Sequence, residues 1–388
     1  MKKLLASFLG LSMLVGCSST SKTKTSDQLL KECASGVVLI YNKYYYQIEL
    51  PTGQTLYMAG ISEDGTPNSL TMDKDEIKKH PNGMFGTGFF IDKKGHILTN
   101  RHVVKGVIDE STAQELIVNS MRRERQAYLD SMRMADNAYE QLKNRISECY
   151  TRDVFGNVYL SNENLLQQIN EGIEYLREAY YQWKELSDFL AANSSASNVK
   201  ITIIPEIGIA YNDTHVNDEN DFFGENSCVI RKVSNKENTD LAVIQLKKKA
   251  TPEFAHIFDT SGIVMREKES KSIGELMNEI LFGEPAMEPS ESEELKIGQQ
   301  LYIIGYNHGM QLAQTQEGIM AQMTEGKITQ LPDGERLLYS IPTMQGSSGS
   351  PVIDEEGNLR GVNFAKATLS DNFNFGIPMN LVKTFLKE

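Results

Sequence analysis

With 388 residues, 40% of them hydrophobic and 23% charged, the chain has an ordinary globular composition and the length for about two or three domains with a substantial core. The formal net charge of −13 becomes −15 once residues 1–16, which hold Lys2 and Lys3 and no acid, are set aside, and no basic patch stands out. Both observations disfavour nucleic-acid binding.

The chain begins MKKLLASFLGLSMLVGC, two lysines followed by an apolar run too short to span a bilayer as a stable helix. Residues 1–16 therefore read as an export signal and not as part of the fold. The signal ends in Leu14-Val15-Gly16-Cys17, which resembles the bacterial lipobox. That resemblance implies acylation of Cys17, which becomes the new N-terminus, and firm attachment to a membrane through several acyl chains. The expected location is the cell envelope, at the outer membrane and periplasm if the host is double-membraned. Residues 17–34 are then a lipidated tether, with Ser18–Ser26 flexible. Cys33, Cys149 and Cys228 show no CxxC spacing; export permits one disulfide among them and leaves one thiol over.

Ser35–Leu50 is dense in Val, Ile and Tyr, as strands are, and GTGFFIDKKGHILTNRHVV (Gly86–Val104) has the form of a hairpin whose second strand ends near His102. Strands return at Val199–Tyr211, Ser227–Val233 and Leu241–Leu246, and a second strand-rich block starts at Gln299. Two blocks of short strands with Gly-rich turns suggest paired β-barrels.

Residues 111–192 differ in kind. Val118, Met121, Arg125, Tyr128, Met132, Ala135, Tyr139, Leu142, Ile146 and Cys149 recur at alternating spacings of three and four, a heptad seam. A second seam through Leu166, Ile169, Ile173, Leu176, Tyr180, Trp183 and Leu190 follows a polar loop, which predicts an antiparallel coiled-coil hairpin inserted in the first barrel. The two seams are expected to pack on each other, with binding of a protein partner or self-association as the alternative use of the arm. Residues 247–296, ending in EPSESEELK, read as linker, with a short amphipathic helix at Ile273–Phe282. The expected organisation is thus 35–246 for the first barrel with its insertion and 297–388 for the second barrel and a C-terminal helix.

Serine is a weak nucleophile at neutral pH and needs a base, a group to orient the base, and donors for the oxyanion. Of six histidines only His102 sits at the end of an apolar strand, in ILTNRHVV. Asp240 directly precedes the apolar run of TDLAVIQL, where a partly desolvated carboxylate could accept an imidazole Nδ1 proton. GSSGSP (Gly346–Pro351) offers serines in a tight turn, and composition alone leaves turn and nucleophile open.

Taken in chain order, GTGFFIDKKGHILTNRHVV, TDLAVIQL and GSSGSPVIDEEGNLRGVNFA resemble the trypsin-like serine peptidases, nearest to the HtrA-like protease domain. The resemblance implies two six-stranded antiparallel barrels of chymotrypsin type, with Ser348 as nucleophile, His102 as general base and Asp240 as its orienter. Gly346 and Ser348 would supply the oxyanion-hole N–H groups. Ser347 stands where Asn or Asp is usual and Ser350 where Gly is usual; neither change removes a catalytic group. No histidine follows Ser348 to read an acidic P1 side chain, and no Asp lies in Tyr339–Gln345 to read a basic one. With Ile341, Pro342, Met344, Asn363 and Phe364 as expected walls, a small or medium apolar P1 residue is predicted. The resemblance implies no metal or organic cofactor. It also leaves the helical arm, in place of a PDZ domain, as the expected site of substrate or partner capture. The competing functions are a latent scaffold acting through the arm and a chaperone-like holdase.

Overall fold

The strand Val37–Glu49 (β1) reads VVLIYNKYYYQIE, β-branched and aromatic residues that suit a pleated surface packed on both faces. Its period of two sorts side chains between two cores: Val38 and Ile40 fill the first barrel, whereas Val37 and Leu39 join the layer between the barrels. Asn82–Phe90 (β2), His96–Thr99 (β3), Lys200–Tyr211 (β4), Ser227–Val233 (β5) and Ala242–Leu246 (β6) complete that barrel. The order is β1-β2-β3-β6-β5-β4, and pairing of β1 with β4, from Val38 opposite Tyr211 to Glu49 opposite Lys200, closes the ring. This computed structural model describes residues 23–388 except 63–64, 107, 196, 237–238, 261–294, 332 and 365–373. The signal, Cys17 and the expected helix at Ile273–Phe282 lie outside the described residues.

Gln300–Gly305 (β7), Gln322–Gln330 (β8), Leu337–Tyr339 (β9), Pro351–Ile353 (β10), Leu359–Phe364 (β11) and Asn374–Pro378 (β12) form a second closed barrel in the order β7-β8-β9-β12-β11-β10. Alternation works here as it does in β1. Leu301 and Ile303 enter this barrel's core, while Tyr302 and Ile304 face the inter-barrel layer.

Two expectations change. Ser26–Cys33, inside the segment read as tether, is a helix capped by reciprocal Thr25 and Gln28 bonds, with Leu29 and Cys33 buried between the barrels. The disulfide that export permits is not formed. Cys33 lies in the inter-barrel layer, Cys228 in the first-barrel core and Cys149 at the far end of the arm, and all three are buried free thiols.

The arm itself, between β3 and β4, is the helix Glu110–Arg145 followed by Glu163–Asn193. The helices pack antiparallel: Arg122 donates to the Ser194 carbonyl near the root, and Gly172 comes so close to Leu142 that a Cβ would lie 3.0 Å from it. The predicted seam residues are buried or half-buried except Tyr139, which is exposed with Lys143 over its ring. At the root, Ala113, Ile117 and Val118 pack on Tyr44, Tyr46, Ile201 and Ile203 where β1 and β4 extend beyond the barrel. No helix among the described residues is long and apolar enough to cross a membrane.

Candidate active site

The strand β3 ends at Thr99, and His102 stands on a short helix, Arg101–Lys105, rather than on the strand itself. Asp240 lies just before β6, whose pairing with β3 brings the two segments together. Four bonds fix them. The Asn100 side-chain amide and the Arg101 N–H both donate to the Asp240 carbonyl, at 2.8 and 3.2 Å. The Asp240 carboxylate then accepts from the His102 N–H at 3.0 Å through Oδ1 and meets His102 Nδ1 at 2.5 Å through Oδ2. A carboxylate can only accept, so the shared proton sits on Nδ1 and leaves Nε2 as an acceptor. Asp240 is buried, and the His102 ring is edge-on to Phe364 of β11 at 5.8 Å between centroids.

The GSSGSP turn meets this dyad through the barrel interface. Gly349 has φ +87°, and a Cβ there would lie 2.2 Å from the Thr87 carbonyl, 2.4 Å from Thr99 Oγ1 and 3.2 Å from the Asn100 N–H nitrogen. Only glycine fits so close to the chain that carries His102. Thr87 joins the two sides: its N–H donates to the Ser348 carbonyl at 2.8 Å and its hydroxyl to the Gly346 carbonyl at 2.8 Å, while the Tyr306 N–H donates to that hydroxyl at 3.1 Å. The Thr99 hydroxyl donates in turn to the Thr87 carbonyl at 2.7 Å.

All three serines of the turn are buried, and two of them have structural surroundings of their own. Ser347 Oγ donates to the Met344 carbonyl at 2.7 Å and accepts from the Asn363 amide at 3.1 Å. Ser350 lies fully buried behind the turn, where Gly305 makes room for it: a Cβ on Gly305 would be 2.0 Å from Ser350 Oγ. The serine in place of the usual glycine is thus matched by a glycine across from it. Ser348, also buried, stands between them, and its carbonyl accepts from the Thr87 N–H.

Gly346 takes φ +95°, and a Cβ would lie 2.4 Å from the Tyr306 carbonyl. The Gln345 carbonyl accepts from the His308 N–H at 2.6 Å. Across a trans peptide the Gly346 N–H therefore points the other way, off the His308 turn. His308 itself holds a left-handed backbone, φ +55°, a strain on the order of 1–3 kcal/mol that the packing around it must offset.

The expected pocket walls are only partly in place. Ile341 is fully buried in the second-barrel core beside Leu337, Tyr339 and Val352, because the alternation of β9 carries on past its end. Asn363 is also fully buried; it accepts from the Tyr339 hydroxyl at 2.6 Å and donates to the Ser347 carbonyl at 2.8 Å, so it braces the turn from beneath. Pro342, Met344 and Phe364 remain at least partly exposed. Polar groups missed in the sequence reading sit beside them: the Thr343 hydroxyl donates to Asn374 Oδ1 at 2.8 Å, and Asn374 Nδ2 to the Ile341 carbonyl at 2.8 Å. Thr87 was also missed, although a lone hydroxyl between two glycines in GTGFF was a readable signal. Among the described residues, no cluster of three His, Cys, Asp or Glu is placed to hold a metal ion.

A family model described as a trypsin-like peptidase domain matches residues 196–362, which include Asp240, Gly346 and Ser348. Over these residues, less than half of its length, the chain is similar to the trypsin-like peptidases. His102 lies outside the matched residues, upstream of the arm, and enters through the fold. Glutamyl endopeptidases of Staphylococcus aureus strains MW2 and MSSA476 are each 30% identical over 122 residues, 31% of this chain and 32% of theirs. The chain thus matches about a third of the length of these curated relatives. A crystal structure of the serine endoprotease from Yersinia pestis aligns with 94% of this chain and 67% of its own, at 14% identity and a TM-score of 0.37, a loose likeness.

Proposed function

We propose that this chain is an exported, membrane-anchored serine endopeptidase that cleaves polypeptides through an acyl-enzyme on Ser348. The observation that carries the reading is the carboxylate-held imidazole, with His102 Nδ1 2.5 Å from Asp240 and Nε2 left to accept a proton. In this reading His102 Nε2 takes the Ser348 proton as Oγ bonds to the scissile carbonyl carbon. The N–H groups of Gly346 and Ser348 hold the resulting oxyanion. His102 then passes the proton to the departing amine as the C–N bond breaks, and water, activated by the same base, releases the acyl group. Anchorage of the Gln345 carbonyl by His308 supports an oxyanion loop already turned for this task, which favours an enzyme over an idle scaffold.

A fluorophosphonate should label the parent and not Ser348→Ala, and casein cleavage should be lost in that variant while the unfolding transition stays. Equal labelling of both would sink the assignment. Export and anchorage rest on residues 1–17 alone. They predict incorporation of a labelled fatty acid into the parent and none into Cys17→Ala.

A further inference from the structure

The arm ends in a feature that peptide hydrolysis does not use. Between the helices, Tyr150–Arg152 and Val158–Leu160 form a two-stranded ribbon closed by the turn Asp153–Asn157. Val154 is 94% exposed and Phe155 87%, and Tyr150, Val158, Tyr159 and Leu160 behind them are exposed as well. A ribbon of three residue pairs has no core to bury them, so folding does not account for their apolar character.

The turn is held rigidly. Asp153 Oδ1 accepts from the N–H of Phe155 at 2.8 Å and of Asn157 at 2.9 Å, and the Asn157 amide donates to Oδ2 at 3.0 Å. The Asp153 N–H donates to the Asn157 carbonyl at 3.0 Å, the Gly156 N–H to the Asp153 carbonyl at 3.1 Å, and Gly156 supplies the left-handed φ of +88°. The main-chain donors of residues 153, 155, 156 and 157 are thus all met within the turn. A partner protein could satisfy such groups itself, whereas hydrocarbon cannot and demands that they be paired beforehand.

Position along the arm points the same way. Val154 and Phe155 form the apex and Val158 follows. Tyr159 and Tyr150 come next, at the level where tyrosines settle in headgroups when a tip enters a bilayer. Met121 is the outermost residue of the first helix packed on the barrel cluster. From there to Arg145 is roughly 36 Å at 1.5 Å per residue, and the ribbon adds about 10 Å. By contrast, the chain from Cys17 to Lys24 spans at most about 25 Å when fully extended. A body tied that closely to a membrane leaves the arm long enough to touch the same bilayer. This last step rests on the anchor reading above; the two before it do not.

We propose that the Val154–Phe155 tip inserts into a lipid bilayer surface, a second contact that fixes how the peptidase stands on its membrane. The test uses the mature chain with Cys17→Ala, produced without residues 1–16, so that no acyl chain contributes. It should float with phosphatidylcholine vesicles, and Val154→Ser with Phe155→Ser should lower the lipid-bound fraction at least about tenfold, the loss expected when two buried apolar side chains become polar. Far-UV circular dichroism and the unfolding midpoint should match the parent. Phe155→Trp, read against the parent with its lone Trp183, should show blue-shifted emission on vesicles. The inference falls if the parent does not float, if the double variant floats equally, or if the added emission of Phe155→Trp does not shift. A lipid-free dimer lost in the double variant would assign the tip to a second copy of the chain instead. Failure of fatty-acid labelling at Cys17 would overturn the anchor and leave flotation by the tip unaffected.

Discussion

Loss of the Thr87 side chain should loosen the two barrels and the candidate oxyanion loop together. In Thr87→Val the shape is nearly kept, but the hydroxyl's bonds to the Gly346 carbonyl and from the Tyr306 N–H disappear. Thr87 is fully buried, so neither group regains water. Each net bond is worth about 1 kcal/mol, and a buried group left unsatisfied costs on the order of 1–3 kcal/mol. A destabilisation of roughly 2–4 kcal/mol follows, a large share of the 5–15 kcal/mol typical of a folded domain. The main-chain bonds from the Thr87 N–H to the Ser348 carbonyl and from Thr99 to the Thr87 carbonyl survive, so the turn should stay near His102 while the Gly346 peptide loses its hold. Urea unfolding should show the lower midpoint, and kcat should fall with KM little changed. Thr87→Ser, which keeps the hydroxyl, should recover most of both. A variant within about 0.5 kcal/mol of the parent and fully active would refute the pinning role, since that is the range of a neutral surface change.

Three further outcomes are expected. Asp240→Asn would place an N–H against His102 Nδ1, force the ring proton onto Nε2 and cut peptidase kcat by about 10⁴ with the fold kept, as measured on a chromogenic peptide; a loss under tenfold would remove Asp240 from the orienting role. His256 is held below the ordinary imidazole range, chiefly by burial and only partly countered by Glu32. The unfolded chain therefore binds a proton as pH drops below about 6.5 while the folded chain does not. This stability is fully present above that pH and is lost towards the depressed folded value, so urea midpoints should fall as pH drops below about 6.5, and His256→Phe should flatten that slope. Burial pushes the Cys33 thiol up to about 11 and the Cys228 thiol up to about 12. Iodoacetamide at pH 8 should modify neither in the native protein and both in 8 M urea, which intact mass will report; rapid native labelling would contradict their burial.

What was legible in the sequence is what local pattern encodes. The alternation of β1, the heptad seams and the strand-end settings of His102 and Asp240 all lie within short windows, and each can be read without its partners. The Thr87 to Gly346 bond joins residues 259 positions apart, and no window contains both. Ile341 and Asn363, expected as pocket walls, are placed otherwise: barrel alternation turns the first into a core and bonding draws the second beneath the turn. The helix Ser26–Cys33 was readable: Thr25 and Gln28 have the spacing of a capping box, a signal masked by the Ser/Thr/Lys composition just before it.

The arm also bears on how the first barrel is assembled. Thr99 ends β3 and Lys200 begins β4, the strand that closes the ring on β1, so the insertion puts about a hundred residues into the loop that closure must span, with a penalty that grows with the logarithm of length. A helical hairpin relieves this, because its contacts are between neighbours in a regular pattern and form early. Once zipped, with Arg122 brought to Ser194 and the Glu110 carboxylate accepting from the Ile203 N–H at 3.1 Å, it delivers both ends of the insertion to one place. The longest interruption in the barrel's sequence thereby becomes, in kinetic terms, one of its shortest connections.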